Sequence, residues 1–265
     1  MNLNPREWGD QGLFAAWVGH STVLLKIDGV TIVTDPVFSR RIGIRVGIGT
    51  VGVKRLVAPA LALRDLPKID LILLSHAHFD HFDIRTLRRL ENRGTHVITA
   101  ARTADLLRRK RYAGVTELGW GAGTSVGPLH VKAFQVNHWG ARILRDTWRG
   151  YNGYTVDAGR YRVLFAGDTA ATSGFRSLKT SRRFDLALMP IGAYNPWIRA
   201  HCTPEQAWQM AGDAGSEFIL PIHHQTFALS REPYLEPIER VQAAAGNHPD
   251  RVAVRRIGGQ FEMQI

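Results

Sequence analysis

Apolar and β-branched residues come in short runs along the first part of the chain, at 13–18, 22–27 and 30–34, each of strand length. The stretch "KIDGVTI" sets an Asp-Gly pair between two such runs, which predicts a tight hairpin. Residues 69–74 are apolar without a break, so this strand is expected to be covered on both faces. The period then changes: Ile84, Leu87 and Leu90 recur at helical spacing and predict a helix over 83–90. A strand at 97–100 and a helix over 103–110 follow, and "LHVKAFQV" at 129–136 alternates as a half-buried strand. Residues 151–156 and 161–165 predict a second hairpin turning at Ala158-Gly159. Further strands are expected at 186–190, 218–222, 252–254 and 260–263. Thr203 suits an N-cap for a helix over 204–214, with Pro204 at its first position.

The order is strand-rich, then strand and helix, then the same again. It predicts an α/β protein whose two similar halves stack their sheets with helices outside. No linker or low-complexity segment interrupts residues 1–265, so one domain is expected. Residues 40–64 read as a long Gly-rich connection, and such loops are often functional.

Composition narrows the class. No run reaches the roughly 18 apolar residues that a membrane span needs, and the N-terminus lacks the apolar core of a secretory signal. The single cysteine, Cys202, fits a reducing compartment. A cytoplasmic protein is expected, with peripheral contact at a membrane surface compatible with its charge. That formal net charge is +11, which favours anionic partners. Nucleic acid is the weaker expectation, because neither an aromatic-rich RNA-binding motif nor Cys/His finger spacing accompanies the charge.

The chemistry is concentrated in "LILLSHAHFDHFD", where an apolar strand ends in His76, His78, Asp80 and His81. Alternate residues of a strand project the same way, so His76 and His78 converge as the strand ends. Asp80 and His81 enter from the following turn. Two pairs of ligands on one short loop can serve two adjacent metal ions. Further ligand types follow other predicted strands: His138 after 129–136, Asp168 in "YRVLFAGD", and His223 with His224 after "FILPI". Groups at the ends of several strands converge on one crevice in an α/β arrangement.

"SHAHFDHFD", "VNHWG", "FAGDT" and "PIHHQTF" resemble the metal motifs of metallo-β-lactamase-fold hydrolases. "WVGHSTVLLKIDGVTIVTDPVFS" and "LPIGAYNPW…HCTPEQA" resemble the branch containing N-acyl-phosphatidylethanolamine-hydrolysing phospholipase D and its bacterial relatives, over roughly Trp17 to Glu236. The resemblance implies a four-layer αββα sandwich and two zinc ions. It places His76, His78 and His138 on one metal, Asp80, His81 and His223 on the other, and Asp168 between them. It also implies roles near substrate for His201 and Tyr194. The chain departs from the phospholipase at His224-Gln225, where that family has Trp-Gly.

Imidazoles with carboxylates suit zinc, and iron or manganese accept the same set. Two such ions about 3.5–4 Å apart can share a water and make it a hydroxide near neutral pH. Four positive charges, less Asp80, Asp168 and the hydroxide, leave one, which favours an anionic substrate such as a phosphodiester. The expected reaction is attack by that hydroxide on phosphorus, with Asp80 in the catalytic set and His201 or His224 protonating the leaving oxygen. A lactonase or carboxyl-ester hydrolase, or a nuclease of the superfamily, is the alternative on the same site. Asp35 reads equally as a carboxylate that orients a ligand histidine and as a turn former before Pro36, and His20 reads first as structural. Ile44, Val46, Ile48, Val51 and Val53 alternate with Gly, Arg and Lys, which suits an apolar lip for a lipid or a packed surface loop.

Overall fold

A computed structural model describes residues 3–264. The chain opens with three antiparallel strands, β1 (Leu13–Gly19), β2 (Thr22–Ile27) and β3 (Val30–Thr34). A separate hairpin follows, β4 (Arg41–Val46) and β5 (Gly49–Lys54). Then come β6 (Leu71–Leu74), helix α1 (Ile84–Arg89), β7 (His96–Ala100) and β8 (Gly114–Leu118), whose strands extend the first sheet in parallel from β3. The second sheet starts antiparallel with β9 (Gly123–Val126), β10 (Leu129–Phe134), β11 (Gly153–Ala158) and β12 (Tyr161–Phe165). It turns parallel through β13 (Phe184–Pro190), helix α2 (Pro204–Asp213) and β14 (Ser216–Ile222). Helix α3 (Glu236–Ala245) precedes β15 (Gln260–Met263), which returns to pair with β1. The sheets run β15-β1-β2-β3-β6-β7-β8 and β14-β13-β12-β11-β10-β9.

The strands are apolar on both faces because both faces are covered. Leu13, Ala15 and Trp17 of β1 meet Tyr154, Val163 and Phe165 of the second sheet in the central core. Leu24, Val33, Ile72 and Leu74 face outward and pack with Leu87 of α1. Leu164, Ala187 and Met189 face the other way, onto Met210 of α2 and Val241 of α3. This is the expected αββα sandwich. None of the helices among the described residues is long and apolar enough to cross a membrane.

Local chemistry explains where elements start and where expectations fail. Thr203 caps α2 in a full capping box with Gln206. Residues 103–110 are two short 3-10 turns, not one helix. The Thr103 hydroxyl bonds back to the Ala100 carbonyl, and Glu117 accepts from the Thr103 and Ala104 amides, so the first turn has other partners. Four consecutive cations, 108–111, then repel along the continuation. Residues 252–254 make only a single parallel bridge, Val252 to Ile219, instead of a strand. Residues 40–64 are not an irregular connection, because the β4–β5 hairpin lies within them. Gly43 and Gly52 sit opposite one another in it, and a Cβ on either would collide with the facing backbone. β8, β9 and α3 were not anticipated: four glycines dilute the pattern over 114–126, and α3 starts without a capping side chain.

Phe165 is fully buried between the sheets and stacks on Tyr154 at a 6.5 Å centroid separation. Phe165→Ala is expected to destabilise the fold by about 3–5 kcal/mol, read as a lowered urea midpoint at unchanged slope.

Candidate metal centre

The site lies where parallel strands end. Asp35 follows β3, His76 follows β6, Asp168 follows β12 and His223 follows β14, so their side chains enter one crevice at the strand carboxyl ends. Hydrogen bonds tie the sheets together there: the Asn152 amide donates to the Ser75 carbonyl at 2.9 Å, and the Tyr154 hydroxyl donates to the Leu74 carbonyl at 3.0 Å. Gly167 takes a positive φ of 60°, and a Cβ there would lie 2.7 Å from that of Ser75. Only glycine lets Asp168 come so close to the opposite sheet.

Two groups of side chains result. His76 Nε2, His78 Nδ1 and His138 Nε2 converge, at 2.8 Å for the first pair and 3.3 Å between His78 and His138. The outer nitrogens of two are fixed: His76 Nδ1 lies 2.9 Å from Ser75 Oγ, and His138 Nδ1 donates to the Ala200 carbonyl at 2.9 Å. The second group is His20, Asp80, His81 and His223. Asp80 Oδ2 lies 3.0, 3.3 and 3.5 Å from Nε2 of His20, His223 and His81.

Asp168 stands between the groups. Its Oδ2 is 3.1 Å from both His81 and His223 on one side, and 3.8 and 3.9 Å from His138 and His76 on the other. His81 Nε2, His223 Nε2 and Asp168 Oδ1 are buried without a hydrogen-bond partner. Such atoms are costly unless something satisfies them. A cation accepting their lone pairs does so, and the donor set is of the kind zinc, iron or manganese take. The residues present therefore fit a metal.

Electrostatics separate the groups. Burial pushes His138 down to about 3 and His76 well below the ordinary imidazole range, which keeps both neutral with a lone pair to offer. Burial alone would raise Asp168 and Asp80, but the surrounding imidazoles hold both well below the usual carboxylate range. Burial alone would lower His223, yet Asp168 and Asp80 lift it to about 9. Asp168 and Asp80 lift His81 as well, so the two carboxylates draw positive charge onto these rings, the charge that a bound cation would supply in its place.

A supporting layer holds the ligands. Asp35 is fully buried and accepts from His81 Nδ1 at 2.6 Å and from the Ser75 amide and hydroxyl at 2.8 and 2.5 Å, which turns His81 Nε2 inward. Of the two readings of Asp35, the orienting one describes its contacts. His20 also belongs to the site: its ring touches Asp80, and its carbonyl accepts from the His223 amide at 3.1 Å. Ser75 and Arg142 were not singled out. Arg142 donates to the Ala77 and Phe82 carbonyls at 2.8 and 2.9 Å while lying 4.1 Å over Phe79, so it straps the ligand loop. Ser75 could have been read from its place directly before His76, whereas nothing near Arg142 in sequence announces its partners.

His201 reaches the site, with Nδ1 buried and 3.9 Å from Asp168 Oδ2. His224 does not behave as the expected acid. It stacks on Trp17 at 4.3 Å, is buried with neither nitrogen bonded, and is pushed down to about 3 by burial. It is uncharged at neutral pH and belongs to none of the ligand groups. Tyr194 donates its hydroxyl to Glu236 Oε1 at 2.7 Å, under the Arg240 guanidinium, and is engaged with α3.

Asp35→Asn is expected to weaken metal binding about 10–100-fold while circular dichroism stays native. Competition with a chromogenic chelator measures it, and unchanged affinity would refute the orienting role.

The beta-lactamase superfamily domain matches residues 30–224. An uncharacterized protein of Mycobacterium tuberculosis is 36% identical over 254 residues, covering 91% of this chain, which spans 66% of that relative's length. The N-acyl-phosphatidylethanolamine-hydrolyzing phospholipase D 1 of Caenorhabditis elegans is 31% identical over 256 residues, covering 88% of this chain and 70% of that protein. A metallo hydrolase from the archaeon Ignicoccus hospitalis shares the fold at a TM-score of 0.69 and 21% identity, over 96% of this chain and 100% of that one. The chain belongs to the beta-lactamase superfamily and shares the fold of a solved metallo hydrolase.

Proposed function

We propose that the chain is a phosphodiesterase with two zinc ions, one held by His76, His78 and His138, the other by Asp80, His81 and His223, with Asp168 shared. The observation that carries this reading is the place of Asp168 Oδ2, within 3.9 Å of nitrogens from both groups. When bound, two such ions polarise phosphoryl oxygens and acidify a shared water. The chain's own residues do the rest. Asp35, Ser75 and His20 fix the ligand rings and Asp80, so little reorganises as charge develops. His201 sits beside Asp168 at the edge of the cluster, and burial lowers it to about 4. At neutral pH it therefore acts as a neutral hydrogen-bond donor to the leaving oxygen, not as a charged acid.

Surroundings favour an anionic substrate with an apolar part. Beside Phe79, between ligands His78 and Asp80, lies a cavity of about 400 Å³. Ile44, Ile84 and Ile143 line it together with Arg41, Arg85 and Arg88. A lipid phosphodiester offers both chemistries at once. The C. elegans relative carries the name of an enzyme hydrolysing such a lipid, which supports the same reading.

Zinc-loaded protein is expected to hydrolyse N-acyl-phosphatidylethanolamine in vesicles and a bis-aryl phosphodiester, and to lose both activities to a chelator. His78→Ala and Asp168→Ala should abolish turnover, and His201→Ala should lower kcat about 10²-fold with metal content retained. Hydrolysis of lactones with none of phosphodiesters moves the assignment to carboxyl esters. Full activity in Asp168→Ala overturns the site.

A further inference from the structure

The β4–β5 hairpin has two unlike faces. Directly opposed residues of an antiparallel pair share a face, and here the opposed pairs are Ile42–Val53, Ile44–Val51, Arg41–Lys54 and Arg45–Thr50. One face is aliphatic and the other cationic. Ile42 anchors the aliphatic face against Val37 and Phe227 at the body of the protein. Beyond that anchor the face is open: Ile44, Val46 and Val51 are 58%, 61% and 66% exposed, and Ile48 at the tip is 99% exposed. Six-residue strands reach about 20 Å, and an isolated two-stranded hairpin is marginal in water. Aliphatic side chains at the tip of such an element gain nothing from folding alone.

A second apolar prominence lies close by. Ile143 borders the cavity that Ile44 and Arg45 line beside the ligand loop, and its neighbour Leu144 is 92% exposed. Charge completes the pattern. No acidic residue occurs between Asp35 and Asp65, while Arg40, Arg41, Arg45 and Lys54 are all exposed.

We propose that this face docks on an anionic lipid bilayer, with Val46, Ile48 and Leu144 entering the acyl boundary and Arg40, Arg41, Arg45 and Lys54 lying among the headgroups. Cations beside aliphatic tips match the boundary between anionic headgroups and acyl chains. A second copy fits less well, because a two-fold contact would set each basic hairpin against itself. Nucleic acid fits less well too, because residues 41–54 contain no aromatic ring on which a base could stack. The inference concerns binding and does not rest on the phosphodiesterase reading.

Co-sedimentation of the full chain with vesicles tests it. Phosphatidylcholine vesicles containing phosphatidylglycerol should pellet the protein, and added salt should release it. Ile48→Asp, at a position that supports no packing, should weaken binding about tenfold or more, and Arg45→Ser about fivefold. The tryptophan emission of Ile48→Trp should shift to the blue on those vesicles. Absence of pelleting, equal pelleting of Ile48→Asp, or unshifted emission overturns the proposal. So does self-association through Ile48, or binding of single-stranded RNA weakened by Arg45→Ser, where vesicles bind nothing.

Discussion

Two carboxylates, Asp168 buried and Asp80 half-buried, are held among histidines. A buried carboxylate stays ionised only if positive charge or hydrogen bonds repay its lost hydration. Here the partners are imidazoles, which can bring that charge as protons or pass it to a metal as ligands. The rest of the architecture answers this constraint. Strands from both sheets must end at one level, the turns that follow must be rigid, and the rings must have fixed tautomers.

Rigidity is visible in the backbone. His20, Asp35 and His223 each adopt positive φ without being glycine, at 55°, 31° and 63°. Such conformations cost about 1–3 kcal/mol each and persist only when the surroundings over-determine them. Around Asp35 they do: Thr22 Oγ1 donates to its carbonyl and the Asp35 amide donates to the Leu73 carbonyl, at 2.8 and 2.9 Å. Around His20, the Trp17 indole donates to its carbonyl at 2.7 Å and its amide donates to Thr226 Oγ1 at 2.7 Å. The β1–β2 turn and the stretch after β14 are locked together by these bonds, which hold His20 and His223 in fixed relation.

Much of this was legible in sequence because its causes are local. Strand runs at 22–27 and 30–34 match β2 and β3, since a doubly covered strand needs little beyond apolar, branched residues. The ligands stood out because four metal-binding side chains in six residues at a strand end have few other uses. What stayed hidden depends on distant partners. Arg142 is anchored by carbonyls about 60 residues away in the chain. The fate of the Thr103 amide depends on Glu117, on a neighbouring strand. The hairpin at 41–54 was hidden because its strand pattern is broken by glycines that its close backbone approach requires.

The departure at His224-Gln225 can be placed in the same terms. His224 lies against Trp17, so the exchange alters the packing there. Gln225 holds φ at 55°, a conformation glycine takes freely and glutamine does not. The strain is contained because Thr226 Oγ1 bonds to the His20 amide and the Thr226 carbonyl accepts from the Leu56 amide. Leu56 and Gln225 both line the smaller pocket next to His223. The exchange therefore falls on the packing against Trp17 and on the wall of the pocket next to His223, and not on the ligand groups themselves.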